Sequence, residues 1–230
     1  MAKSQTDKSK RAAKAKPLAP AETKQSLPAS TKPSAKDKLL DAAVQVVRQK
    51  GYAATSVDDL CRAAGVTKGA FFHHFDSKED LAVAAARYWS DFTTDFFDKA
   101  PYQKHSDPLD RLLAYIDFRR EILKGNIEDF TCLLGTMVQE AYATSPKIRQ
   151  ACDASISRHA AAVAQDIAAA KKLYAPDATW DAEELALFTQ VVVQGAFILA
   201  KAKQGPKAAE ASILHLKRYV EFLFNKPTAR

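Results

Sequence analysis

Cysteine is scarce in these 230 residues. The three present, Cys61, Cys132 and Cys152, are odd in number, far apart and lack C-x-x-C spacing. That excludes a disulfide framework and a zinc knuckle, and leaves reduced, mostly buried thiols as the expectation. An oxidant or electrophile sensor among them would need a lowered thiol pKa, which a sequence does not display. Long apolar runs are missing too: none approaches about 18 uninterrupted residues, and the opening MAKSQTDKSKRAAKAK has no apolar stretch of the kind a secretion signal requires. A cytoplasmic protein with no membrane partner is expected. Gly-rich phosphate loops, H-E-x-x-H, G-x-S-x-G and paired-carboxylate constellations are absent, and His105, His159 and His215 are scattered. The expectation is therefore no enzyme, no cofactor and no metal. Strand signals are also wanting, because the VVV at 191–193 lies inside a longer helical period, and no repeat of solenoid length occurs.

What the chain does have is charge, unevenly placed. The formal net charge is +7, and residues 1–36 hold nine lysines and arginines against Asp7 and Glu22. The excess therefore lies in that tail, and the remaining residues balance. Rich in Lys, Ala, Pro, Ser and Thr and poor in large apolar residues, the tail is expected to be a disordered basic arm over 1–35. Such an arm favours nucleic acid or an anionic membrane surface through counterion release; a solubilising leader with no dedicated partner is the plainer alternative.

From Lys36 the pattern becomes helical. In KDKLLDAAVQVVRQKGY, Leu40, Ala43, Val44 and Val47 make one apolar face, and Gly51 ends it. Thr55 or Ser56 caps a second helix with Asp58 and Asp59 in its first turn and Val57, Leu60, Cys61 and Ala64 on one face; Gly65 ends that. A third, short helix runs through GAFFHHF, and Ser77 caps a long fourth one to about Phe97. Three short helices, tight glycine turns and a long helix are the layout of a helix-turn-helix head. Later helices are expected at about 107–123, 128–143, 146–172, 181–203 and 207–224, between breaks at Pro108, Gly125, Pro146, Pro176 and Gly205-Pro206. The fold class is all-α.

Within GAFFHHF, Phe71 and Phe75 lie four apart and share a face, while His73 points away from them. Adjacent histidines diverge by about 100° on a helix, which disfavours a shared metal. Two phenylalanines are thus expected to anchor the helix and the histidines to be presented outward or at its flank.

The stretch from Lys38 to Leu81, with its initial helix ending in GY followed by TSVDDLCRAAGV, TKGAFFHHF and SKEDL, resembles the amino-terminal domain of TetR-type transcriptional regulators. The body resembles that family as an all-helical domain of the right length, with echoes such as VVVQGAFILAKA. The resemblance implies a helix-turn-helix DNA-binding domain at 36–81 and an effector-binding and dimerisation domain at 82–230. It implies that Lys68, Gly69, Ala70 and His73 face base edges and that Phe72, His74 and Lys78 face the sugar-phosphate backbone. Thr67 at the start of the third helix and Thr55 and Ser56 at the start of the second join the DNA-contact set. Phe72 stands where a tyrosine is usual, and Ala70 where a threonine is common. Residues 36–80 carry seven basic and seven acidic groups, so bulk charge does not build this docking face.

For the body, the resemblance implies a pocket for a largely apolar small-molecule effector, with Trp89, Phe92, Phe96, Tyr115, Phe118, Leu133, Met137 and Tyr142 as candidate walls. Mid-helix Gly135 and Gly195 mark points of close helix packing or ligand approach. Leu187, Val191, Gln194 and Ile198 on the penultimate helix, with Ile213, Leu216, Val220 and Leu223 on the last, are the expected homodimer interface. The implied protein is a ligand-responsive repressor reading a palindromic operator in double-stranded DNA. The alternative is a helical ligand-binding or scaffold protein that retains the head fold without specific DNA binding.

Overall fold

The computed structural model describes residues 33–225. Nearly all of the expected basic arm lies outside the described residues. Among those described there are ten α-helices and no strand.

The first three helices are α1 (Ala35–Lys50), α2 (Val57–Ala64) and α3 (Lys68–His74), followed by the long α4 (Lys78–Asp98). Short-range chemistry fixes their starts. Ser34 and Ser56 each accept from the backbone amide three residues on, while Asp37 and Asp59 reach back to the cap amide, closing the same reciprocal box twice. Thr67 caps α3 through Ala70 N at 3.1 Å, and Ser77 caps α4 through Asp80 N at 3.1 Å. The turn after α1 requires glycine: Gly51 has φ 90° and ψ 160°, a conformation other residues adopt only under strain.

The body contains α5 (Pro108–Glu121), α6 (Ile127–Phe130), α7 (Leu133–Ala141), α8 (Pro146–Tyr174), α9 (Ala182–Ala202) and α10 (Lys207–Leu223), with a 3-10 turn at Pro101–Lys104. The single helix expected over 128–143 is two, broken at Thr131 and Cys132, both extended. The cause is long-range: Arg48, in the last turn of α1, donates from Nε to the Thr131 carbonyl at 2.8 Å, taking an acceptor that a continuous helix would use itself.

Two hydrophobic cores result. One joins α1–α4 with Leu133, Leu134, Met137, Ala141, Ile148 and Cys152 from α7 and α8. The other gathers α5, α8, α9 and α10 around Leu112, Ile116, Ile167, Val193, Ile213 and Val220. The head's core is therefore completed by the body, so residue 81 is not a boundary between separate cores. Helix α9 is long and apolar enough by length and composition to cross a membrane, yet 44% of that stretch is buried in the chain's own fold.

Candidate nucleic-acid interface

Helix α3 is amphipathic in a specific way. Phe71 is fully buried and Phe75 nearly so, their ring centres 6.0 Å apart, while Phe72 is 54% exposed with its ring set edge-on to Phe71. His73 and His74 are both exposed, their rings 4.8 Å apart. Thr67, Lys68 and Gly69 are exposed and Ala70 is half-buried. A side chain at Gly69 would meet nothing nearer than the Thr67 hydroxyl at 3.8 Å, so the leading turn of α3 is open to an approaching surface. The phenylalanine pair thus holds α3 by one side and leaves Phe72, His73 and His74 on the other.

Two expected phosphate contacts need correction. Thr55 is 2% exposed and its hydroxyl donates to Gly51 O at 2.6 Å, so it braces the α1–α2 loop from within. Lys78 is not a free cation: its ammonium donates to Tyr52 O at 3.1 Å and Thr55 O at 2.9 Å and lies 4.3 Å from the centre of the Tyr52 ring. Burial pulls its pKa below the usual lysine range. Lys78 therefore fastens the loop to the start of α4, adding a second donor to Tyr52 O, which also accepts from Thr55 N at 3.1 Å, and one to Thr55 O. Ser56 is exposed, with its hydroxyl engaged by Asp59 at 2.6 Å. Lys68 pairs with Asp58 at 2.7 Å, both largely exposed, an interaction weak enough to yield to a phosphate or base.

Of the candidate effector walls, Trp89, Phe92, Phe96 and Phe118 form a run of neighbouring rings, with centres 5.9, 6.3 and 5.5 Å apart, while the others lie elsewhere. Leu133 and Met137 are fully buried in the head-side core, and Tyr142 is 60% exposed just past α7. Trp89 is half-buried and carries the Arg48 guanidinium 4.6 Å above its ring; Phe92 is 37% exposed. Phe96 and Phe118 meet at the edge of the other core. Tyr115 lines a cleft together with Phe97, Tyr102, Gln103, His159 and Asp166, and Leu133 and Met137 line a separate small pocket with Tyr52 and Lys78. The Tyr115 hydroxyl lies 2.9 Å from His159 Nε2, and Gln190 Nε2 is 3.4 Å from the same oxygen. Burial, then the nearby Arg119 cation, push His159 down to about 3. It stays neutral at ordinary pH.

The candidate dimer set divides likewise. Leu187, Val191 and Ile198 are exposed at 49%, 68% and 47%. Ile213, Leu216 and Val220 are buried inside the chain's own core and Leu223 packs against it, so the stripe read from α10 faces inward. Gln194 also turns inward: its side-chain oxygen occupies the space a Cβ on Gly135 would need. The close approach expected at Gly135 is thereby found, whereas Gly195 has open space around it. The residues missed on the outer face are Phe188, Leu199, Tyr219 and Phe222, the last 75% exposed, with Phe188 and Tyr219 ring centres 5.4 Å apart.

Cys61 and Cys152 are buried and Cys132 half-buried, all three free, and burial raises the Cys152 thiol to about 12. No group of three or more potential metal ligands occurs among the described residues.

A capped short helix, gripped by two buried rings and presenting aromatic and imidazole groups behind a bracing helix, is the geometry of a helix-turn-helix head. The profile of the bacterial regulatory proteins of the tetR family matches residues 39–85, and that of the LmrA/YxaF-like transcriptional regulator C-terminal domain matches residues 108–210. The chain belongs to the TetR family. Among its relatives, the transcriptional regulator AcuR of Cereibacter sphaeroides is 27% identical over 168 residues, 73% of this chain and 77% of that protein. The HTH-type transcriptional repressor KstR2 of Rhodococcus jostii is 39% identical over 70 residues, 30% of this chain and 33% of its own. The crystal structure of a TetR regulatory protein from Rhodobacter sphaeroides superposes with a TM-score of 0.72 at 25% identity, covering 80% of this chain and 98% of that one.

Proposed function

We propose that this regulator is a homodimeric, cytoplasmic repressor that binds a palindromic operator through α3 and is released from it by a small-molecule effector. The observation that carries the reading is the split of α3, with Phe71 and Phe75 buried and Phe72, His73 and His74 presented outward. A helix so held enters a major groove with its outer residues on base edges and backbone. Thr67, Lys68, Gly69, Ala70 and His73 are assigned to base edges, and Phe72, His74 and Ser56 to the backbone. The relative KstR2 is named as a repressor, which supports that sign of control. Dimerisation is assigned to the outer face of α9 and α10, where Leu187, Phe188, Val191, Ile198, Tyr219 and Phe222 form an apolar surface that a second copy would cover.

Selection of bound fragments from random duplex DNA tests the reading. A palindromic consensus is expected; sequence-blind, salt-sensitive binding would favour the scaffold alternative instead. Removing residues 1–32 should weaken binding and flatten its salt dependence if the basic arm contacts phosphate.

A further inference from the structure

Between α7 and α9 lies a cavity of about 230 Å³, separate from the cleft at Tyr115. Its size falls below the about 300–1,000 Å³ usual for drug-sized ligands, so its occupant has few heavy atoms. Phe197 and Ile198 supply apolar lining, and Thr131, Thr136, Gln139, Glu140, Gln194 and Lys201 polar lining. The Lys201 ammonium donates to Thr136 Oγ1 at 2.7 Å. Thr131 is 1% exposed, and its hydroxyl has no hydrogen-bond partner among the described residues. The Thr131 carbonyl holds the Arg48 Nε, and Nη2 of that guanidinium is likewise buried without a partner. Buried donors without acceptors cost stability, about 1–3 kcal/mol each, unless something that accepts is bound.

The carboxylates nearby are engaged elsewhere. Glu140, on the cavity wall, accepts from Ala53 N at 2.6 Å; Asp129 accepts from Asn126 N at 2.7 Å; Glu128 takes Gln49 at 3.3 Å. None pairs with Lys201 or Arg48 within salt-bridge distance. Burial holds the Lys201 pKa below its usual range, while the Glu140 carboxylate on the same cavity wall acts in the other direction without pairing with it.

We infer that this cavity binds a small organic monocarboxylate, its oxygens on Lys201 and the Thr131 hydroxyl and its short apolar end against Phe197 and Ile198. An acceptor-only anion satisfies the donors, and the apolar end selects an organic acid over an inorganic ion. The assignment rests on the effector reading above and deepens it, because the site touches the head. Arg48 belongs to α1, and Glu140 holds the α1–α2 loop at Ala53 while crowding Gly51. A carboxylate that draws Lys201 and the Thr131 segment together therefore acts on two of the contacts that hold the head, those of Arg48 and of Ala53.

The test is thermal melting and calorimetry of the full chain with acetate, propionate, butyrate and hexanoate, against propionamide and butyramide as neutral isosteres and inorganic phosphate as a plain anion. A short carboxylate should bind saturably and raise the melting temperature where its amide does not. Lys201→Gln should weaken that binding at least tenfold, and Thr131→Val several-fold; the valine variant keeps the test open if the glutamine variant fails to fold. Equal stabilisation by amides or phosphate, no stabilisation by any carboxylate, or unchanged binding in a folded Lys201→Gln or Thr131→Val protein would each overturn the assignment. The measurement needs no DNA. Failure of operator binding would therefore sink the regulator reading alone, and failure of carboxylate binding the site alone.

Discussion

At the scale of single residues, the proposed interface rests on the outward face of α3 and not on net charge, since residues 36–80 balance seven basic groups against seven acidic ones. Phe72 presents a ring without a hydroxyl, more than half of it exposed. Phe72→Tyr should tighten operator binding by about 0.5–1.5 kcal/mol, the net worth of one hydrogen bond, read as up to about a tenfold lower Kd in a gel-shift titration. His73→Ala should relax base preference at one position, seen as a broader consensus when selection from random DNA is repeated. In the body, His159 sets a pH dependence. Its folded pKa, about 3, lies below the ordinary value near 6.5, so between those values the unfolded chain holds a proton that the folded one refuses. Stability contributed by neutral His159 is complete above about pH 6.5 and is lost as pH falls toward 3, with a limiting slope of about 1.4 kcal/mol per pH unit. Denaturation midpoints of a His159→Gln protein, followed from pH 7 to 4, should decline less steeply than those of the parent.

At the scale of elements, the α1–α2 loop is the part most tightly specified by remote groups. Lys78 fastens it from α4 and Glu140 from α7, while Gly51 supplies a backbone geometry only glycine adopts easily. Gly51→Ala should cost at least the about 1–3 kcal/mol of such backbone strain, and more because its Cβ would displace Glu140; urea unfolding measures it. Lys78→Ala should lower stability by about 1–3 kcal/mol in urea unfolding, as two carbonyls lose a charged donor. A Lys78→Ala protein as stable as the parent would mean that the loop does not depend on this clamp. Much at this scale was readable in advance. Serine caps, glycine stops and 3.6-residue periodicity placed α1 to α4 and α8 to α10 within a few residues, because those signals act over one or two turns. The break between α6 and α7 was not readable, since its cause, Arg48, lies 83 residues away.

At the scale of the molecule, the two cores and the apolar outer face divide the last helices into an inner side that folds the chain and an outer side available to a second copy. Val191→Glu should leave the monomer folded and halve the mass seen by light scattering, with operator affinity lost alongside. Leu216→Ala should instead cost about 2–5 kcal/mol of stability, because its side chain is 3% exposed in the core. The sequence by itself determined the all-α class, the helix-turn-helix head and the division of GAFFHHF, because each follows from the order and spacing of neighbouring residues. Tertiary structure alone decided that Thr55 and Lys78 brace a loop, that the α10 stripe faces inward, and that Thr131, Glu140 and Lys201 line one cavity. Periodicity specifies that a face is apolar, while what covers that face depends on segments tens of residues away.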